Sequence, residues 1–190
     1  MTVTSFEHKY SHKEPKKNPF KIELKYNIIS NPNSNFSNYP KTTTIHVIIV
    51  DDEYMIRNAM KRLITNQLKN KDHIELIIIE ANDGIECLLA IYLATINQIK
   101  IDFIITDENM TYINGTFASE IIKTVVKNGK FQDVPIFMAT ALGKNIIDSR
   151  PDIIKKVFSK PMDKNSIREL LVISGVLNNN RIQSNSDKSI

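Results

Sequence analysis

Four places in this chain carry side chains suited to the chemistry of phosphoryl groups and hard cations. Asp51, Asp52 and Glu53 are consecutive, Asp107 follows an apolar run, Thr140 ends another, and Lys160 precedes Pro161. Clustered carboxylates repel one another unless a hard cation lies between them, and Mg²⁺ takes oxygen ligands, usually one or two carboxylates with waters and a phosphate. A carboxylate can also be the nucleophile of phosphoryl transfer, giving an acyl phosphate. The transferred group spreads negative charge over three oxygens, so catalysis is mostly positioning and neutralisation. Mg²⁺ can serve one oxygen, the Lys160 ammonium a second, and the Thr140 hydroxyl with a backbone N–H the third. Taken singly, each residue has a plain explanation: Asp51 or Asp52 as a helix cap, Asp107 as a turn residue, Thr140 as a β-former, Lys160 as a solvated charge. The chemistry requires that they meet, so the elements that carry them decide the matter.

Those elements alternate. IHVIIV (45–50) is an uninterrupted, mostly β-branched run, as in a strand buried on both faces of a parallel sheet. Ile56, Met60, Leu63, Ile64 and Leu68 then recur at helical spacing. A second strand is predicted at 74–79, a helix over GIECLLAIYLATI, a third strand at 102–105, and a helix with Ala118, Ile121, Ile122, Val125 and Val126 on one face. VPIFMA (134–139) is a fourth strand whose Pro135 sits at its start, where a missing N–H is tolerated. KVFS (156–159) is a fifth, and Asp163 is placed to cap a last helix carrying Ile167, Leu170 and Leu171. Alternation of this kind implies right-handed βαβ units and an open parallel sheet. Ligands of such sheets bind beyond the carboxyl ends of the strands. Asp51, Asp52, Asp107, Thr140 and Lys160 all fall there, at one edge.

At these residues the chain resembles the response-regulator receiver family. The matching motifs are IIVDDE (48–53), EANDGIECL (80–88), IITDENMTYINGTF (104–117), IFMATAL (136–142) and FSKPMD (158–163), and the resemblance covers essentially all of 45–177. The resemblance implies a doubly wound α/β fold, a flavodoxin-like (βα)5 sandwich with a five-stranded parallel sheet of order 2-1-3-4-5. It implies that Asp107 is the phospho-acceptor, that Asp52 holds Mg²⁺ directly with Asp51 assisting, and that the backbone carbonyl of Asn109 is a further ligand. Thr140 becomes the switch hydroxyl and Lys160 the partner of a phosphoryl oxygen, with a cis Lys160–Pro161 bond. Gly115 matches a loop glycine, at a turn expected to need positive φ. Glu53 has no ligand role and suits a helix N-terminus. The implied partner is a histidine kinase or a histidine phosphotransfer protein, with Mg²⁺ the one cofactor. The protein is then a signalling receiver rather than an enzyme, acting on itself by self-phosphorylation and autodephosphorylation. A phosphorylation-independent docking module on the same fold is the alternative, and a small-molecule enzyme lacks any cofactor loop.

Three positions depart from the family pattern. Met110 is followed by Thr111 where proline is usual, which is expected to loosen the loop. Val157 stands three residues before the lysine, where the family carries its switch aromatic, and Phe158 is expected on the opposite face of the strand. The fourth helix, expected over 143–154, is interrupted by Pro151. Leu142 is expected to line the route of water attacking the acyl phosphate.

Composition bounds the remainder. At 190 residues, 42% hydrophobic and 24% charged, the chain accommodates one domain with tails. Residues 1–44 hold seven lysines against three glutamates, which accounts for the whole net charge of +4; the rest is balanced, with no footprint for nucleic acid. Residues 1–44 are expected to be disordered or loosely docked, 45–177 to form the receiver, and 178–190 to be a disordered tail. No apolar run reaches the ~18 residues that span a bilayer, and Cys87, the sole cysteine, excludes an internal disulfide. A cytoplasmic protein without membrane insertion is expected, either free-standing or as the carboxy-terminal receiver of a hybrid kinase. His8 and His12 lie in a segment without helix signal, and His46 and His73 read as structural or exposed.

Overall fold

The computed structural model describes residues 42–71, 73–141 and 152–177. The expectations for residues 1–41, for Leu142, for the Pro151 interruption and for the 178–190 tail fall outside them.

The strands are β1 (Thr43–Val50), β2 (Ile74–Ala81), β3 (Phe103–Thr106), β4 (Ile136–Thr140) and β5 (Lys156–Ser159). The helices are α1 (Tyr54–Leu68), α2 (Gly84–Ile96), α3 (Gly115–Lys127) and α4 (Lys164–Ile173). All strand pairs are parallel and the sheet order is β2-β1-β3-β4-β5. The chain is thus a doubly wound α/β sandwich, as the alternation required.

The strand residues explain the two layers. Ile45, Val47 and Ile49 of β1 join Phe103, Ile105, Phe137 and Phe158 in one core, closed by Met60 and Ile64 of α1 and by Ile167, Leu170 and Leu171 of α4. The intervening Ile48 and Val50 are also fully buried, on the face of the sheet where α2 packs. Cys87 is buried in α2, and its apolar surroundings push its thiol up to about 12. Phe158 packs its ring 6.3 Å from that of Phe137, while Val157 faces the other way, against Met138, Ile153 and Ile154. The expected split of this pair between the two faces is observed.

Helix starts follow side-chain caps. Asp83, Asn114 and Asp163 each accept a backbone N–H from three residues on. At α1 the cap position is Glu53, whose side chain makes no cap hydrogen bond.

Two expectations need correction. β1 begins at Thr43 rather than Ile45, because Thr43 and Thr44 continue the ladder onto Ile74 and Glu75. Gly115 does not adopt positive φ; among the described glycines only Gly129 and Gly175 do. A Cβ at Gly115 would lie 2.1 Å from the Asp107 carbonyl oxygen, so the glycine serves a close backbone approach instead.

Candidate functional site

Register brings the acidic residues together. Val50 pairs with Thr106, so the residues after them, Asp51 and Asp107, leave adjacent strands side by side. The Asp107 N–H donates to the Val50 carbonyl at 2.9 Å and holds that turn. β4 runs on to Thr140, which pairs with Ser159 and places Lys160 directly beyond. The Lys160 N–H donates to the Thr140 carbonyl at 2.9 Å, and the Lys160–Pro161 bond is cis.

The side chains then converge. Lys160 Nζ lies 2.6 Å from Asp51 Oδ2 and 2.6 Å from Asp107 Oδ2. Ligand oxygens of Asp51, Asp52 and Asp107 all lie within 4.8 Å of one another. Asp51 has no exposure, Asp107 and Thr140 are buried, and Asp52 is exposed at the mouth. Asn109 lines an open depression of about 600 Å³ together with Asp52, Thr111, Tyr112 and Phe117.

Backbone amides fix the two buried carboxylates. Asp51 Oδ1 accepts from Glu53 N at 3.0 Å and Asp107 Oδ1 from Glu108 N at 2.7 Å. Burial raises the Asp51 carboxyl above its ordinary range; Lys160 and the Glu53 amide oppose that shift, and the nearby Asp107 charge adds to it. Burial alone would lower the Lys160 ammonium, yet hydrogen bonds and opposite charge from Asp107 and Asp51 outweigh it and hold it above the usual lysine value.

Several partners escaped the sequence reading. The buried Arg57 donates from Nη1 to the Asp51 carbonyl at 2.6 Å and lies 3.5 Å from Glu80 through Nε. Its signal was present: Arg57 shares a helical stripe with Met60, Ile64 and Leu68, the buried face of α1. Thr106 Oγ1 donates to the Asp107 carbonyl at 2.9 Å. Glu108 accepts from both the N–H and the hydroxyl of Thr116, tying the loop after β3 to α3. Thr111, expected to loosen that loop, donates its hydroxyl to Asp52 Oδ2 at 3.1 Å. These contacts span up to 59 residues of sequence, and no local pattern announces them.

The donor set fits a hard divalent cation. It consists of oxygens, and three carboxylates against one ammonium leave an excess of negative charge. Asp51 Oδ2 is buried against the Lys160 ammonium, 2.6 Å away. The two described histidines do not take part: His73 is exposed and His46 is half-buried in the first half of β1, its imidazole pushed down by burial against the pull of Asp102 and Glu75. Among the described residues no helix is long and apolar enough to cross a membrane.

No protein-family model matches the chain. It is similar to a chemotaxis protein CheY homolog of Campylobacter jejuni, 31% identical over 127 residues that cover 66% of this chain and 88% of the relative. The signal receiver domain of NarL from Mycobacterium tuberculosis aligns with a TM-score of 0.55 at 16% identity, over 72% of this chain and 98% of that one. The chemotaxis protein CheY4 of Vibrio cholerae aligns with a TM-score of 0.51 at 21% identity, over 68% and 97%. These two share the fold, and the Campylobacter relative adds sequence likeness along nearly its full length. With five parallel strands in the order 2-1-3-4-5, and a relative matched through most of its length, the chain belongs to the response-regulator family as a CheY-like receiver domain of two-component signalling.

Proposed function

We propose that Asp107 accepts a phosphoryl group from a phosphohistidine on a histidine kinase or a histidine phosphotransfer protein, and that the acyl phosphate biases a protein-interaction surface. The observation that carries this reading is the placement of the Asp107 carboxylate, 2.6 Å from the Lys160 ammonium and beside Asp51 and Asp52, at the carboxyl edge of the sheet. An Asp107 oxygen forms the bond to phosphorus as the phosphorus–nitrogen bond breaks, and the departing imidazole keeps the electron pair. Lys160 is then placed to neutralise a phosphoryl oxygen and Thr140 to offer its hydroxyl to another. Asp52, Asp51, Asp107 and the Asn109 carbonyl would hold Mg²⁺, which when bound supplies positive charge where negative charge develops. The protein is its own substrate in this scheme, and no second substrate is turned over.

Intact mass after treatment with acetyl phosphate and Mg²⁺ tests the reading. Wild type is expected to gain one phosphoryl mass only with Mg²⁺, and Asp107→Asn to gain none. An unmodified wild type that nonetheless binds Mg²⁺ would favour a phosphorylation-independent docking module. One observation supports that second reading: Val157 occupies the family's switch-aromatic position, and the adjacent Phe158 is locked in the opposite core.

A further inference from the structure

Asp52 differs from its two acidic neighbours in how it is held. Asp51 and Asp107 are buried, each accepts a backbone N–H, and each faces Lys160. Asp52 is exposed, and among the described residues the hydrogen bond given to its carboxylate comes from the Thr111 hydroxyl. An exposed carboxylate with no partner rotates freely, and fixing it at the moment of ligation costs side-chain entropy. Thr111 lies on the loop after β3, two residues beyond Asn109, whereas Asp52 follows β1. Their 3.1 Å hydrogen bond therefore spans two loops that each contribute to the acidic site.

We propose that Thr111 is a positioning residue for the cation site: its hydroxyl orients the Asp52 carboxylate and ties the Asn109 loop to the acid pair. The inference rests on the reading above that Asp52 is a cation ligand. One Asp52 oxygen is engaged by the hydroxyl, which leaves the other for ligation, a division of labour common around metal-bound carboxylates. Proline at this position would stiffen the loop through its fixed φ but could donate no hydrogen bond to Asp52. In this chain the cross-loop hydroxyl performs the restraint instead.

The test is Mn²⁺ affinity, read by electron paramagnetic resonance of the free ion, for the full chain without any phosphodonor. Thr111→Val, which keeps the shape and removes the hydroxyl, is expected to weaken binding by about tenfold, the lower end for loss of a partner of a metal ligand. Thr111→Ser is expected to restore binding to within about twofold of wild type, since the donor to the charged acceptor remains. Thermal unfolding in chelator is expected to be the same for all three, which separates orientation of a ligand from general support of the loop. Wild-type affinity in Thr111→Val, or equal losses in the valine and serine variants, would overturn the proposal while leaving the cation site intact. Absence of Mn²⁺ binding in wild type, or undiminished binding in Asp52→Asn, would overturn the cation-site reading and the proposal with it.

Discussion

Asp51 pays an electrostatic cost in the folded chain when no cation is present. Its carboxyl is raised above the ordinary 3.8 by burial, so between that value and its folded pKa the native state binds more protons than the unfolded state. Stability therefore falls across this window as pH rises, and the loss persists at neutral pH. Asp51→Asn, which keeps an oxygen for the Glu53 amide, is expected to stabilise the cation-free protein at pH 7, with the gain over wild type vanishing below pH 3.8. Urea denaturation at several pH values in chelator checks this, and a neutral-pH loss would refute it. Lys160 instead stabilises the fold at neutral pH, although its contribution too declines as pH rises. Its raised pKa means that its contribution is complete below 10.5 and is lost only as pH climbs through the folded value. Arg57 is a third case, since its guanidinium is buried and bonded to the Asp51 carbonyl. Arg57→Met should cost about 2 kcal/mol in denaturation, because it leaves that carbonyl unpaired, while Glu80 keeps the Lys61 ammonium at 2.9 Å.

Among the elements, α3 meets the turn after β3 at its smallest residue. Gly115 opens α3 with its N–H donating to the Glu108 carbonyl, and its Cα passes under the Asp107 carbonyl. Gly115→Ala is expected to destabilise by about 2–3 kcal/mol by overpacking, and to displace the Asp107 backbone as α3 moves away. A variant as stable as wild type would show that α3 shifts at little cost. Strand β1, by contrast, was legible from composition: its β-branched run admits burial on both faces, and Val47, Ile48, Ile49 and Val50 are all fully buried. The helix α4 was equally plain, with Asp163 capping and Ile167, Leu170 and Leu171 fully buried. What local pattern could not supply was the reason for Gly115, since a turn glycine and a close-approach glycine look identical in sequence.

Among the described residues, the cluster of Asp51, Asp52, Asp107 and Lys160 lies at the carboxyl end of the sheet, and apolar residues fill both faces beneath it. The residues before β1 are rich in lysine and poor in apolar side chains. A chain cut to residues 40–177 is therefore expected to unfold in one transition, within about 0.5 kcal/mol of the full chain. A larger loss in chemical denaturation would show that residues 1–39 or 178–190 contribute to stability. The same arrangement bears on switching. Phe158 is committed to the core of α1 and α4, and Val157 offers no ring to move, so the output of the proposed phosphorylation would travel by another route than a swinging aromatic at this position.

Residue order was enough to place the described strands and helices and the Asp163 cap, because periodicity and capping chemistry act within a few residues. It was also enough to nominate Asp51, Asp52, Asp107, Thr140 and Lys160, since each directly follows or ends a strand in a fold whose sites lie at strand ends. The pairing of strands settled the rest. In-register β1 and β3 put Asp51 beside Asp107, and β5 beside β4 delivered Lys160 between them at 2.6 Å. Thr111 reached Asp52, and Arg57 reached both the Asp51 carbonyl and Glu80, across gaps that only folding closes. Hydrogen bonds and ion pairs act over a few ångströms of space whatever the distance along the chain, so such contacts leave little trace in local sequence.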